Sequence, residues 1–256
     1  MAPRGLKKAL KETAPCRLIG SGYKRRFQVV DRTKCAEKRL RGLTKRLQTC
    51  VFSDGELPRH ATASDTPAGG HWRGADGGRR RGAAVDSQVS RLAGMSAEKR
   101  FSSKMLNLTR NVFAALSTRG LEPVMGQRAV CAASMRIGTA ADILCYDLTK
   151  SQLLVVELKC GSTGSRTAAA AINGNACKMK GPLHKAMDNV INRHMSQLAV
   201  THHLLTNEKR TMQLLGNLGV NSVEGMLLYA NDSGVETYPL LDWWKARASA
   251  LLVFMK

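Results

Sequence analysis

The chain has 256 residues, enough for one full-sized domain with an extension or for two small domains. Its 40 Lys and Arg against 19 Asp and Glu leave a net charge of +21, which favours a polyanionic partner, with nucleic acid ahead of an anionic membrane. No apolar run reaches the roughly 18 residues that a bilayer span needs, so no membrane association is expected. No secretory leader is recognisable, and the seven cysteines are scattered without a C-x-x-C pair; neither a zinc knuckle nor a disulfide framework is indicated, and a reducing, intracellular compartment fits best.

The charge is uneven. Residues 1–95 carry 21 Lys and Arg against 8 Asp and Glu, and within them PAGGHWRGADGGRRRG (67–82) is too rich in Gly and Arg to bury a core. The composition therefore predicts a basic, partly disordered N-terminal extension over 1–92 that ends in this linker, followed by a folded core over 93–256. A helix or two within 7–51 is the alternative. An arginine-rich, acid-poor N-terminus suits delivery to the nucleus, with the mitochondrion as the alternative.

Beyond the linker, Phe101, Met105, Leu108, Val112 and Ala115 recur at steps of three and four, predicting an amphipathic helix from Ser96 to near Gly120. Glu98 falls on its inward stripe, where it either complements the helix dipole or serves a site. Three apolar runs follow, Arg128 to Ser134, Asp142 to Asp147 and Gln152 to Lys159, and read as consecutive strands. Alternation puts Glu157 and Lys159 on one face of the third. A turn centred on Thr149 and Lys150 pairs Asp142 directly with Glu157, so that two carboxylates converge. Such convergence is costly unless a divalent cation relieves it, and hard oxygen ligands of this kind suit Mg²⁺. The same string also occurs in ordinary amphipathic hairpins whose Glu and Lys face solvent.

Residues 161–180 read as a small-residue loop over this hairpin, with Lys178 and Lys180 available to phosphates and Arg193 a further nucleic-acid contact. From Pro182 the spacing predicts one long helix, with Gln197 directed partly inward. His184, His194, His202 and His203 lack metal-site spacing. Two runs, 225–230 and 235–240, flank Asn231-Asp232-Ser233-Gly234 as a hairpin, and Leu241 to Val253 closes the chain as a helix. The order predicts an α/β architecture, a mixed central sheet flanked by helices.

Gly138-Thr139-Ala140-Ala141-Asp142, Val155-Val156-Glu157-Leu158-Lys159 and Gln197-Leu198 together resemble the ordered motifs of the PD-(D/E)XK nucleases, in the RecB-like and lambda-exonuclease-like branch. The stretch from Gly181-Pro182-Leu183 to Gln197-Leu198 is similar to nucleases of large DNA viruses. One extra residue separates Gly138 from Asp142, and Thr201 stands where the family has Tyr. The resemblance implies a restriction-endonuclease-like core and a metal-dependent deoxyribonuclease, an exonuclease by subfamily, acting in DNA replication, recombination or repair. It implies Mg²⁺ or Mn²⁺ held by Asp142, Glu157 and the Leu158 carbonyl, with Glu98 as the acidic residue of the first helix, Lys159 placing a water and Gln197 supporting the site. No cysteine follows Cys177, so the iron–sulfur cluster of some relatives is not expected. The alternatives are a catalytically silent nuclease fold that binds DNA and a basic nucleic-acid interaction protein. Nothing in the sequence sets the oligomeric state.

Overall fold

The computed structural model describes residues 1–19, 26–29, 39–53, 77–160, 177–231 and 234–256. It is a mixed α/β structure. Helix α1 (Leu6–Glu12) leads into short strands β1 (Cys16–Ile19), β2 (Arg26–Val29) and β3 (Arg39–Gly42), then helices α2 (Leu43–Cys50), α3 (Gly77–Leu92), α4 (Ala97–Ser102) and α5 (Asn107–Thr118). Long strands β4 (Leu121–Ala132), β5 (Ile137–Asp147) and β6 (Gln152–Cys160) follow, then α6 (Val190–Thr206) and α7 (Lys209–Asn217). Strands β7 (Ser222–Asn231) and β8 (Gly234–Pro239) and helices α8 (Asp242–Lys245) and α9 (Ala248–Phe254) complete the order.

Among the described residues the strands join in one eight-stranded mixed sheet, β1-β2-β3-β5-β6-β7-β8, with β4 along the other edge of β5. The β3–β5 and β6–β7 pairs are parallel and the rest antiparallel. Asp147 sets the β5–β6 register: its Oδ1 accepts the Thr149 N–H at 2.8 Å, the Thr149 hydroxyl at 2.7 Å and the Lys150 N–H at 3.1 Å. An Asx-type turn of this kind fixes the loop length and hence the pairing. Those donors outweigh burial and hold the carboxyl below its ordinary range. The ladder runs from Asp147↔Gln152 to Ile143↔Val156, which leaves Asp142 and Glu157 as the next opposed pair, in the expected register.

Helices cover both faces. On one, α3 and α5 bury Val85, Val89, Leu92, Val112, Phe113 and Leu116 against Ile143, Cys145, Val156 and Leu158. On the other, α6 packs Leu198, Ala199 and Leu205 over Leu144, Leu153 and Val155. That second core also contains Leu6, Leu10, Leu43, Leu47, Val51 and Phe52 from the first third of the chain. The described parts of 1–92 are therefore packed elements rather than a solvated tail, and no boundary at 92/93 separates them from the core. Residues 54–76, which include most of the expected linker, lie outside the described residues, and its last six begin α3.

Arg128 on β4 ties α1 to α7. Its fully buried guanidinium donates to Leu10 O at 3.1 Å, to both Glu208 oxygens at 3.1 and 2.6 Å, and to the Thr13 and Thr211 hydroxyls.

Several expected elements differ. The helix predicted from Ser96 to Gly120 is two helices broken after Ser102, because Gln88 of α3 takes the Leu106 N–H at 2.9 Å and the Thr109 hydroxyl at 2.7 Å and so caps α5 from outside. The long helix predicted from Pro182 begins only at Val190. Gly181–Leu183 forms a single 3₁₀ turn, Lys178 and Met187 form a β-bridge, and Asn189 caps α6 by accepting the Asn192 N–H at 2.9 Å. The closing helix is split near Arg247, whose N–H bonds Trp244 O in a tight i−3 turn. No described helix is long and apolar enough to cross a membrane.

Candidate active site

One edge of β5 is shared by two partners. Strand β6 pairs with it as far as Ile143, and β3 pairs with it at Ile137 and Gly138, while β4 occupies the whole opposite edge. Thr139 to Asp142 thus face a slot between β3 and β6. Gly138 lets β2 close one side, since a Cβ there would lie 2.7 Å from Phe27 Cβ.

Asp142 spans the slot. Its Oδ2 accepts the Leu158 N–H at 2.9 Å in place of a ladder bond, and its Oδ1 receives Gln127 Nε2 at 3.5 Å. A strand residue's N–H and C=O point to the same side, so the Leu158 carbonyl also faces the slot. Glu157 is 1% exposed. Its Oε1 accepts the Lys159 ammonium in a short ion pair and the Gln197 amide at 2.6 Å, whereas its buried Oε2 has no hydrogen-bond partner among the described residues. The Gln197 carbonyl oxygen receives the Thr44 hydroxyl at 3.5 Å, which brings the start of α2 to the site.

Burial first, and then the Asp142 charge, push the Glu157 carboxyl up to about 8 against the pull of Lys159. For Lys159, burial acts downward, but Glu157 and Asp142 outweigh it and raise the ammonium above its ordinary value. Asp86 on α3 acts in the same upward direction on both. Beside them, His194 Nδ1 meets the Tyr229 hydroxyl at 2.5 Å, and burial, with Lys159 and Arg193 adding to it, holds the imidazole neutral. Tyr229 is the β7 partner of Lys159.

Asp142, Glu157, Leu158, Lys159 and Gln197 are therefore together. Glu98 is not with them: it is exposed in the first turn of α4, behind the Ser96 cap, and the acidic residue from this helical layer whose field reaches the site is Asp86. Arg193 is also placed otherwise. Its guanidinium grips the buried Asp188 carboxylate at 2.5 and 2.9 Å and stacks over Phe52. Lys178 and Lys180 are exposed, while the remainder of the expected loop, 161–176, lies outside the described residues. The histidines are dispersed: His184 contacts Gly181 O and His202 contacts Val223 O. Asp86, Gln127 and Thr44 were not foreseen. The spacing of Val85, Val89 and Leu92 was the available sign that a packed helix carries Asp86.

Among the described residues no three His, Cys, Asp or Glu side chains gather into a metal cage. Two carboxylates with a backbone carbonyl nonetheless match the way Mg²⁺ is commonly held, with water filling the other positions. The unpartnered, buried Glu157 Oε2 fits such a cation, because an oxygen in that state is costly unless something binds it. No family model and no curated protein matches this chain.

Proposed function

We propose that the protein is a metal-dependent deoxyribonuclease of PD-(D/E)XK type, with a restriction-endonuclease-like core, that hydrolyses phosphodiester bonds in DNA. The carrying observation is the buried Glu157 Oε2 without a hydrogen-bond partner among the described residues, on a carboxylate that feels the Asp142 charge and pairs with Lys159. The net charge of +21 supports a polyanionic substrate.

Asp142, Glu157 and the Leu158 carbonyl would hold Mg²⁺ or Mn²⁺, which supplies charge neutralisation at the phosphodiester and makes water more acidic. The Leu158 N–H orients Asp142, and Gln197 holds Glu157 through Oε1, which leaves Oε2 to take a ligand. Lys159, raised above its ordinary value, keeps its proton. It therefore serves as a donor that positions the attacking water and stabilises negative charge building on the phosphoryl oxygens. Neutral His194 and Tyr229 pack beside it without adding competing charge.

Purified protein incubated with end-labelled linear DNA and with circular DNA, in Mg²⁺, Mn²⁺ or EDTA, tests this reading beside Glu157→Ala and Lys159→Ala. Cleavage only with metal, abolished in both variants, is expected. Preference for linear over circular DNA would identify an exonuclease. Binding without cleavage under every metal condition would replace the reading with a silent DNA-binding module.

A further inference from the structure

Helix α2 runs outward from the site. At its N-terminal end the Thr44 hydroxyl reaches Gln197, whose amide holds Glu157. Just beyond its C-terminal end, Val51 O accepts the Lys180 N–H at 2.7 Å, so the segment 177–187 leading into α6 lies against it. Leu43 and Leu47, one turn apart, face the core, and this directs Thr44, Lys45, Gln48 and Thr49 to solvent.

Among the described residues of 39–50 and 177–187 the charge has one sign. Arg41 and Lys45 are exposed on the α2 side, and Lys178, Lys180 and Lys185 are exposed on the adjoining segment. Neither 39–50 nor 177–187 contains an Asp or Glu, and Asp188, the first that follows, is buried under Arg193 and Ser53. The lysines of α1 offer a comparison surface: Lys7, Lys8 and Lys11 stand among acids, with Lys8 paired to Glu12 and Glu122 lining the same cavity. Eight helical residues span about 12 Å, which matches three or four phosphates of one duplex strand at about 3.4 Å of axis per phosphate.

We propose that Arg41, Lys45, Lys178, Lys180 and Lys185 form a rail that binds the sugar–phosphate backbone of the DNA strand leaving the slot, an inference that rests on the nuclease reading above. The rail carries side chains suited to phosphate rather than to base edges, so it positions the strand without reading its sequence. Backbone tracking from the carboxylates toward Val51 sets which side of the scissile bond lies over α2.

The test is binding of a fluorescein-labelled blunt duplex in EDTA, followed by anisotropy at about 50 to about 200 mM KCl, in a Glu157→Gln background. Substituting all five rail residues by Ala should lower the slope of log Kd against log salt by about 3 or more, since each lost phosphate contact is worth about 0.9. At the upper salt, Kd should weaken at least about tenfold. Replacing the four rail lysines by Arg should retain the wild-type slope, which separates charge from folding, and Lys7→Ala with Lys8→Ala and Lys11→Ala should change the slope by less than about 1. A five-residue variant that binds no worse than the α1 triple variant overturns the rail. Cleavage is scored separately on the wild-type chain: an intact rail effect without metal-dependent cleavage removes the nuclease reading alone, and cleavage with no rail effect removes the rail alone.

Discussion

Glu157→Gln isolates the cost of keeping a carboxylate in the slot. Burial and Asp142 raise the folded-state pKa to about 8 from an ordinary 4.5. The folded protein therefore retains a proton that the unfolded chain has already released, and stability falls as pH climbs between those two values. Each pH unit in that window costs up to about 1.4 kcal/mol, and the full window up to about 5 kcal/mol. Gln carries no such proton. It gives up the hydrogen bond that the protonated carboxyl accepts from the Lys159 ammonium, a loss of about 1.5–3 kcal/mol that varies little over this range. Urea unfolding in EDTA, followed by tryptophan fluorescence, should show the variant less stable than wild type near about pH 5 and more stable near about pH 9, the difference changing by several kcal/mol. Adding Mg²⁺ near neutral pH should stabilise wild type by about 2.7 kcal/mol at a hundred times its Kd, and the variant far less. A difference between the two proteins that stays flat from acid to alkaline pH would refute the argument that Glu157 is held uncomfortably in its buried position.

Asp86→Asn removes a charge that raises both Glu157 and Lys159, so the acid limb of the metal-dependent pH–rate profile should move to lower pH; an unmoved limb would remove Asp86 from the field of the site. Arg128→Ala strips a fully buried guanidinium from Glu208, Leu10 O and Thr211 and should cost about 3–5 kcal/mol in urea unfolding, with Arg128→Met combined with Glu208→Leu recovering most of it. A loss below about 1 kcal/mol would show that the α1–α7 tie is not structural.

The hairpin was legible because its determinants are local. Asp147 captures donors two and three residues ahead, so the turn over Thr149 and Lys150 can be read from adjacent residues, and the Asp142–Glu157 opposition follows by counting. The broken first helix was not legible, because the break is made by Gln88, which lies 18 residues before Leu106 in sequence and is brought there only by packing. Arg193 illustrates a different limit. Its charge suggested phosphate, but the buried Asp188 five residues earlier had a stronger claim on it, and that pairing depends on the chain folding back through Ser53. Composition averaged over the first third hid short apolar spacings, Leu6 with Leu10 and Leu43 with Leu47, under the surrounding lysines and arginines.

Those short elements shape the site itself. Without β3, the edge of β5 from Ile137 to Asp142 would be open, and the slot would be only the place where a hairpin frays. With β3 paired at Ile137 and Gly138 and β6 paired from Ile143, four residues lie between two fixed strands. Asp142 is then held by the Leu158 N–H and Glu157 by Gln197, with Thr44 supporting Gln197 from α2. Preorganisation of this kind is what lets a buried carboxylate remain poised for a ligand instead of relaxing into solvent. The basic first third therefore supplies one wall of the slot and, through α2, the side chain that braces its glutamine. Removing it would take away walls and core together, so its contribution to nucleic-acid affinity is separable only by exchanging exposed cations one surface at a time.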